Sequence, residues 1–377
     1  MTQSNGKLER VVELLGREGL NGLVVYSEGI CSILSPSYLH YFSEVRPLGP
    51  RSAAVVSGSG RVALLVEPAW DAARVAEKSW ISDVRGTRDF AADLPGLLRE
   101  LGVSGPVGLA GSKEITEPLY AAASSAAELR PADGLIEELA REKSAKELEV
   151  IHEAARIADV GFQAFYDAAR PGLREYELVA EMEAAMRAAG ADDDFILLSS
   201  GPHNDEMHEP TDRRLRKGDV LIGEITPVKE GQFMQWCRTV VLGTPPPVMY
   251  EKYDLLLRAL DASLQEVRAG AEASGLAKAM NRVLSDAGYA KYCYPPYMRA
   301  RGHGFGVGSI APGGVVDEDT KTKLALNQAV VVHPNQYIPE TGYLACGETY
   351  LVGETGPVRL SRTETKLHVK EVGGTLG

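Results

Sequence analysis

Cysteine is sparse and scattered: Cys31, Cys237, Cys293 and Cys346 are the four in 377 residues, and no two of them form a C-x-x-C pair. That spacing speaks against a zinc ribbon and against a disulfide framework, and it suits reduced thiols in a cytosol. Basic runs are short as well. None exceeds Arg213-Arg214 with Arg216-Lys217, and the formal charge is -12, which argues against a nucleic-acid surface because phosphate binding needs clustered Lys and Arg. No stretch of about 18 apolar residues occurs, so no membrane span is expected. The opening MTQSNGKLER lacks the apolar core of a signal peptide. Histidine is limited to seven residues, of which His40, His152 and His368 carry no motif.

What is present suggests two α/β domains, since the length suffices for two well-buried cores. Helical spacing over residues 7–17 leads into a strand at 22–26. A hairpin follows, with strands 52–56 and 61–66 around the turn 57–60. Further helices near 71–78 and 90–101 alternate with strands near 84 and 106–110, which predicts a sheet with helices on both faces. From 134 to 169 the pattern is nearly continuous helix, broken by Pro171-Gly172. The domain boundary is placed just before it, giving residues 1–138 and 139–377. Helices over 174–189, 249–271 and 275–288 and a final block of short strands then predict helices outside and a curved sheet inside.

Candidate chemistry gathers in the second half. The segment Lys217 to Thr239 reads as two apolar strands joined by a polar turn. With the turn centred on Lys229 and Glu230, Glu224 is expected directly opposite Gln235, two polar groups facing one space from an apolar hairpin. His208 sits in the turn-rich loop SSGPHNDEMHEP, where a rigid scaffold can present functional side chains. His303 lies among alternating glycines in RGHGFGVG, which lets a ligand or strand approach closely. His333 and Glu348 are single polar residues in apolar strands, with a satisfied structural role as the equal alternative.

The order of these pieces resembles the creatinase and aminopeptidase P superfamily of the pita-bread fold. The resemblance is carried by Arg141 to Ser144, Arg170 to Glu175, Ser200-Gly-Pro with His208, Pro210 to Arg213, Gly218 to Ile222, Arg238-Thr239, Gly302 to Gly306 and the strands at 329–334 and 342–352. It implies an N-terminal creatinase-like domain and a C-terminal pita-bread domain. Metal-dependent members hold two divalent ions with Asp, Asp, His, Glu and Glu; the matching positions here are Glu224, Gln235, His303, His333 and Gly347. The departures resemble the metal-free branch, creatinase and ectoine hydrolase. They imply a metal-independent hydrolase of a C–N bond in a small nitrogen-rich molecule, without cofactor.

In that reading His208 is general base and acid, and Glu224 and Glu348 bind a cationic guanidinium or amidine. Gln235, His303 and His333 line the cavity, and Arg238 faces a substrate carboxylate or else pairs with a neighbouring acid. The resemblance also implies a cytoplasmic homodimer acting on a small molecule, with Phe42 and Arg46 reaching the partner's site. Two rivals stand beside it: a mononuclear metal enzyme of the Xaa-Pro peptidase or lyase kind using Glu224, His303 and His333, and a non-catalytic binding module.

Overall fold

Six short apolar segments pair into the first sheet of the computed structural model, which describes residues 3–29, 35, 37–308 and 311–372; Cys31 lies outside them. They are β1 (Gly22–Ser27), β2 (Arg51–Ser57), β3 (Val62–Glu67), β4 (Val84–Gly86), β5 (Pro106–Ala110) and β6 (Glu128–Pro131), in the order β4-β3-β2-β1-β5-β6. Period-two alternation sends Leu23, Val25, Ala54 and Val56 to one face, against Val11 and Leu15 of the helix Gln3–Glu18 and Leu135 and Leu139 of the helix Asp133–Arg141. Val24, Tyr26, Ala53 and Val55 go to the other face, against Leu94, Leu97 and Leu98 of the helix Phe90–Glu100. Helices on both faces follow from that alternation.

Phe42 belongs to the first of these layers. Its ring is fully buried, packs edge-on against Trp80 at 5.4 Å, and its carbonyl accepts a hydrogen bond from Trp80 Nε1 at 2.7 Å. A side chain committed to its own core cannot reach a partner's cavity, which corrects the expectation for Phe42. Arg46 is half-buried, and its carbonyl accepts from Arg74 at 3.0 Å.

Contacts divide the chain into one unit of Met1–Arg141 with Val307–Pro312 and a second of Glu142–Gly306 with Gly313–Gly377. The second opens with the helix Ala145–Ala168, whose start is fixed by a capping box: Ser144 accepts from the Glu147 backbone while the Glu147 carboxylate accepts from Ser144. That cap explains why the expected helix over 134–169 is two helices with a break between them. The sheet comprises β7 (Asp193–Gly201), β8 (Val220–Lys229), β9 (Gln232–Phe233), β10 (Trp236–Leu242), β11 (Gly302–Phe305), β12 (Val315–Val316), β13 (Ala329–Val332), β16 (Glu348–Val352), β17 (Pro357–Arg359) and β18 (His368–Lys370). Its main path runs β12-β11-β13-β16-β10-β8-β7.

A separate ribbon pairs β14 (Gln336–Ile338) with β15 (Gly342–Leu344). One face of the large sheet, with Ile222, Cys237, Val330 and Val332, packs on Tyr253, Leu256, Leu276 and Met280 of the helices Pro247–Leu264 and Ser274–Leu284. Against the other face lies the helix Ala145–Ala168, whose Phe165 ring comes so near Gly223 that an added Cβ would sit 3.3 Å from it. This is the two-domain pita-bread architecture. The expected helix over 249–271 stops at Leu264, and β7, whose FILL run lacks alternation, is an additional strand. Among the described residues no helix is long and apolar enough to cross a membrane.

Candidate active site

The hairpin of β8 and β10 turns one residue later than its sequence suggests. Glu230 and Gly231 both have positive φ, 44° and 76°, the signature of a two-residue turn whose twist matches that of its strands. Lys229 therefore pairs with Gln232, and the register carries through to Cys237 opposite Glu224. The expected partner, Gln235, lies two residues away, with its backbone N–H donating to Thr349 Oγ1 at 3.0 Å. Cys237, absent from the motif reading, takes the facing position, and its Sγ lies 3.4 Å from Glu224 Oε2.

Around this pair the strands β13 and β11 deliver two imidazoles. His333 Nδ1 is 3.8 Å from Cys237 Sγ, and His333 Nε2 is 3.4 Å from both Gln235 Nε2 and His303 Nε2. Hydrogen-bond partners bear on the tautomers. His303 Nδ1 faces the Gly304 carbonyl at 3.2 Å; a carbonyl only accepts, so that nitrogen carries the proton and Nε2 offers a lone pair. Whereas the Gln235 amide N–H at the same distance from His333 Nε2 favours the opposite tautomer, donation from His333 Nε2 toward His303 leaves its lone pair on Nδ1. Asn335 agrees with this: its Oδ1 accepts from the backbones of Cys346 and Gly347, both at 3.0 Å, which turns its amide N–H toward His333 Nδ1 at 3.2 Å and Cys237 Sγ at 3.4 Å.

Burial governs the charges here. It holds the His303 imidazole down to about 4 and that of His333 well below its ordinary range, so both are neutral near pH 7. It raises the Glu224 carboxyl to about 7 against the lowering effect of hydrogen bonds from Cys237 and Gln235, and it pushes the Cys237 thiol up. The phenol of Tyr343, raised by burial and by the nearness of Cys237 and Glu224, completes the lining and hydrogen-bonds with Asn335. Cys237, Asn335 and Tyr343 were not singled out in the sequence. Only the hairpin register could have indicated Cys237.

Glu348 and Arg238 are elsewhere, in the structural pairing that stood as the alternative for each rather than in contact with a substrate. Both are fully buried and paired at 2.8 Å. Arg359 adds a contact at 3.1 Å, Ser361 one at 2.5 Å and Thr365 one at 2.9 Å, all on Glu348. Burial alone would raise this carboxyl, but Arg238, Arg359 and Ser361 hold it below its ordinary value. Arg238 also donates to the carbonyls of Cys237 and Gly347. The pair is engaged inside the core, where Arg238 Nε is the guanidinium nitrogen without a hydrogen-bond partner among the described residues.

His208 is exposed on the outer edge of β7, where its carbonyl accepts from Leu198 and its N–H donates to Ser199 Oγ. Leu198 pairs with Gly223, so His208 stands two strand spacings, roughly 10 Å, from the neighbour of Glu224.

Residues 149–354 match the model for metallopeptidase family M24, and residues 7–141 match that for the creatinase/prolidase N-terminal domain. The chain belongs to family M24. The Xaa-Pro dipeptidase of Pyrococcus furiosus is 24% identical over 365 residues, covering 96% of this M24 chain and 99% of the relative. Among solved structures, an Xaa-Pro dipeptidase from Bacillus anthracis superposes with a TM-score of 0.86 at 22% identity, covering 97% of this chain and 100% of that one. The prolidase of Pyrococcus horikoshii OT3 does so with 0.83 at 22%, covering 96% and 99%.

These findings overturn two expectations. A hydrolase family of metallopeptidases, with dipeptidases as relatives, replaces the metal-independent enzyme acting on creatine-like or ectoine-like compounds, and the absence of a cofactor falls with it.

The M24 chain's own residues decide which metal arrangement fits. The paired ions of the metal-dependent members do not. Gln235 is a neutral amide where a carboxylate would bridge, and a Cβ on Gly347 would lie 2.5 Å from His333 Nδ1, so no carboxylate can stand there while His333 keeps its place. A single ion does fit. Glu224, Cys237 and His333 offer ligand atoms that all lie within 4.8 Å of one another.

Proposed function

We propose that this M24 enzyme hydrolyses small peptides with a single divalent ion, and that Xaa-Pro dipeptides are its first candidate substrates. The observation that carries the reading is the convergence of Glu224, Cys237 and His333 in the sheet of a metallopeptidase fold. The relatives named Xaa-Pro dipeptidase support the substrate class. An ion bound there would supply Lewis acidity toward a carbonyl oxygen.

The chain's side chains account for the rest. Glu224 and His333 hold the ion, and Gln235, hydrogen-bonded to Glu224 and near His333, keeps the two in register. His303, with its Nδ1 proton fixed on Gly304, orients His333 through its Nε2 lone pair. The expectation that His303 shares the ion with Glu224 and His333 is not favoured, because it faces the opposite nitrogen of the His333 ring. Tyr343 stays protonated and can donate to a substrate oxygen.

The role of His208 in proton transfer rests on the motif match, since the residue stands exposed two strand spacings from the neighbour of Glu224. Its Nδ1 donates to the Glu209 carbonyl at 2.7 Å, which leaves Nε2 as the nitrogen open to exchange a proton.

Metal analysis of protein purified without chelator, combined with hydrolysis of a panel of Xaa-Pro dipeptides, tests the reading. About one ion per chain, with turnover lost on chelation and restored on reloading, is expected. Two ions per chain, or turnover undiminished by complete removal of metal, would overturn it.

A further inference from the structure

We propose that Cys237 is a thiolate ligand of the single ion, so that this M24 site takes zinc or a comparably thiophilic divalent ion rather than one that prefers an all-oxygen shell. The inference rests on the single-metal reading above.

Its first support is spacing. Tetrahedral zinc bonds sulfur at about 2.3 Å and imidazole nitrogen or carboxylate oxygen at about 2.0–2.2 Å, which sets sulfur and its neighbours roughly 3.5 Å apart. Sγ of Cys237 stands 3.4 Å from Glu224 Oε2 and 3.8 Å from His333 Nδ1. A thiol, an imidazole and a carboxylate form a donor set for borderline-soft metals, with a fourth position left for substrate or solvent.

The second support comes from the surroundings, which are wired for this side of the His333 ring. With His303 Nε2 accepting from His333 Nε2–H, Nδ1 is the nitrogen left to ligate, and it lies 3.8 Å from Cys237 Sγ. Asn335, held by two backbone N–H groups, directs an amide hydrogen at the sulfur, while its contact with His333 Nδ1 gives way when that lone pair binds the ion. A donor from Asn335 to sulfur stabilises a thiolate, the kind of outer contact that tunes metal sites. Gly347 leaves the room this arrangement needs.

Third, the position is enforced by the fold. The turn at Glu230 and Gly231 sets the register that puts Cys237 opposite Glu224. As the sulfur–metal bond forms, the thiol proton leaves to solvent and the sulfur supplies the bonding pair, so no oxidant or reductant is needed.

Cobalt(II) added to the metal-free protein is the probe. The wild type is expected to bind one cobalt with a near-ultraviolet sulfur-to-cobalt charge-transfer band. Cys237→Ser should lose the band, and Asn335→Ala should keep it while binding cobalt about 10–100-fold more weakly. X-ray absorption at the metal edge of the wild type needs no variant, and a sulfur neighbour at about 2.3 Å is expected. Cobalt bound with only nitrogen and oxygen neighbours overturns the thiolate and leaves the single-metal reading standing. Failure to bind cobalt or zinc at all overturns both.

Discussion

Replacing Glu348 with glutamine separates the two roles open to a carboxylate in this sheet. The substitution keeps the volume and removes the charge, which leaves Arg238 without its principal counter-ion at zero exposure. Breaking a buried pair in this way costs roughly 3–5 kcal/mol, because the remaining charge is uncompensated. The Arg359 contact adds less, since its side chain is 41% exposed and screened by water. In a unit of this size each kcal/mol lowers Tm by about 2–4 °C, so thermal unfolding followed by circular dichroism should show a fall on the order of 10 °C.

Pairing the change with Arg238→Met should recover part of that loss, since an apolar side chain replaces an unpaired cation; the carbonyls that Arg238 served stay unpaired and limit the recovery. Hydrolysis by the folded single variant, assayed well below its melting temperature, should persist. A variant that melts with the wild type yet loses turnover would refute the structural assignment and return Glu348 to the substrate.

Three further outcomes are expected. Gly347→Ala puts a Cβ 2.5 Å from His333 Nδ1, so the imidazole must move; stability should fall by roughly 1–3 kcal/mol, and cobalt titration should show weakened binding, whereas an unaltered titration would mean the ring is not where it is described. His208→Ala should lower kcat for a dipeptide by about 10²–10⁴ with no change in Tm, because the side chain is exposed; undiminished turnover removes it from the mechanism. Burial holds the His368 imidazole down to about 4 from 6.5. The folded state thus favours the neutral ring, and its contribution is fully present above pH 6.5 and lost as pH falls toward 4. The interval is worth on the order of 3 kcal/mol, and urea denaturation of His368→Gln at pH 7 and pH 5 should show a flatter dependence than the wild type.

Much of this was readable in the residues because the strands that matter alternate cleanly and the helices carry their own stop signals. Leu23 to Tyr26 and Ala53 to Val56 assign both faces of the first sheet without any tertiary knowledge. Glu224, Gln235, His303 and His333 do converge, as the motif order suggested. The site's decisive member escaped because its visibility depended on one turn. Either Lys229-Glu230 or Glu230-Gly231 can be placed at the centre by composition, and the choice moves the residue opposite Glu224 by two places, from Gln235 to Cys237. Glu348 misled for a different reason: a lone acid in an apolar strand reads alike whether it faces a cavity or a buried guanidinium, and the arginine that answers it is 110 residues away.

The crowding between His333 and Gly347 has an evolutionary consequence. A lineage carrying the paired-ion ligand set could not drift to this one, or back, through independent steps. Restoring an acid at 347 alone drives it into the imidazole, and restoring an acid at 333 alone leaves a vacancy where the ring stood. The two positions form an epistatic pair that must change together or through a crippled intermediate. A histidine at the first coinciding with a glycine at the second is therefore a fingerprint by which other genomes can be searched for the same departure.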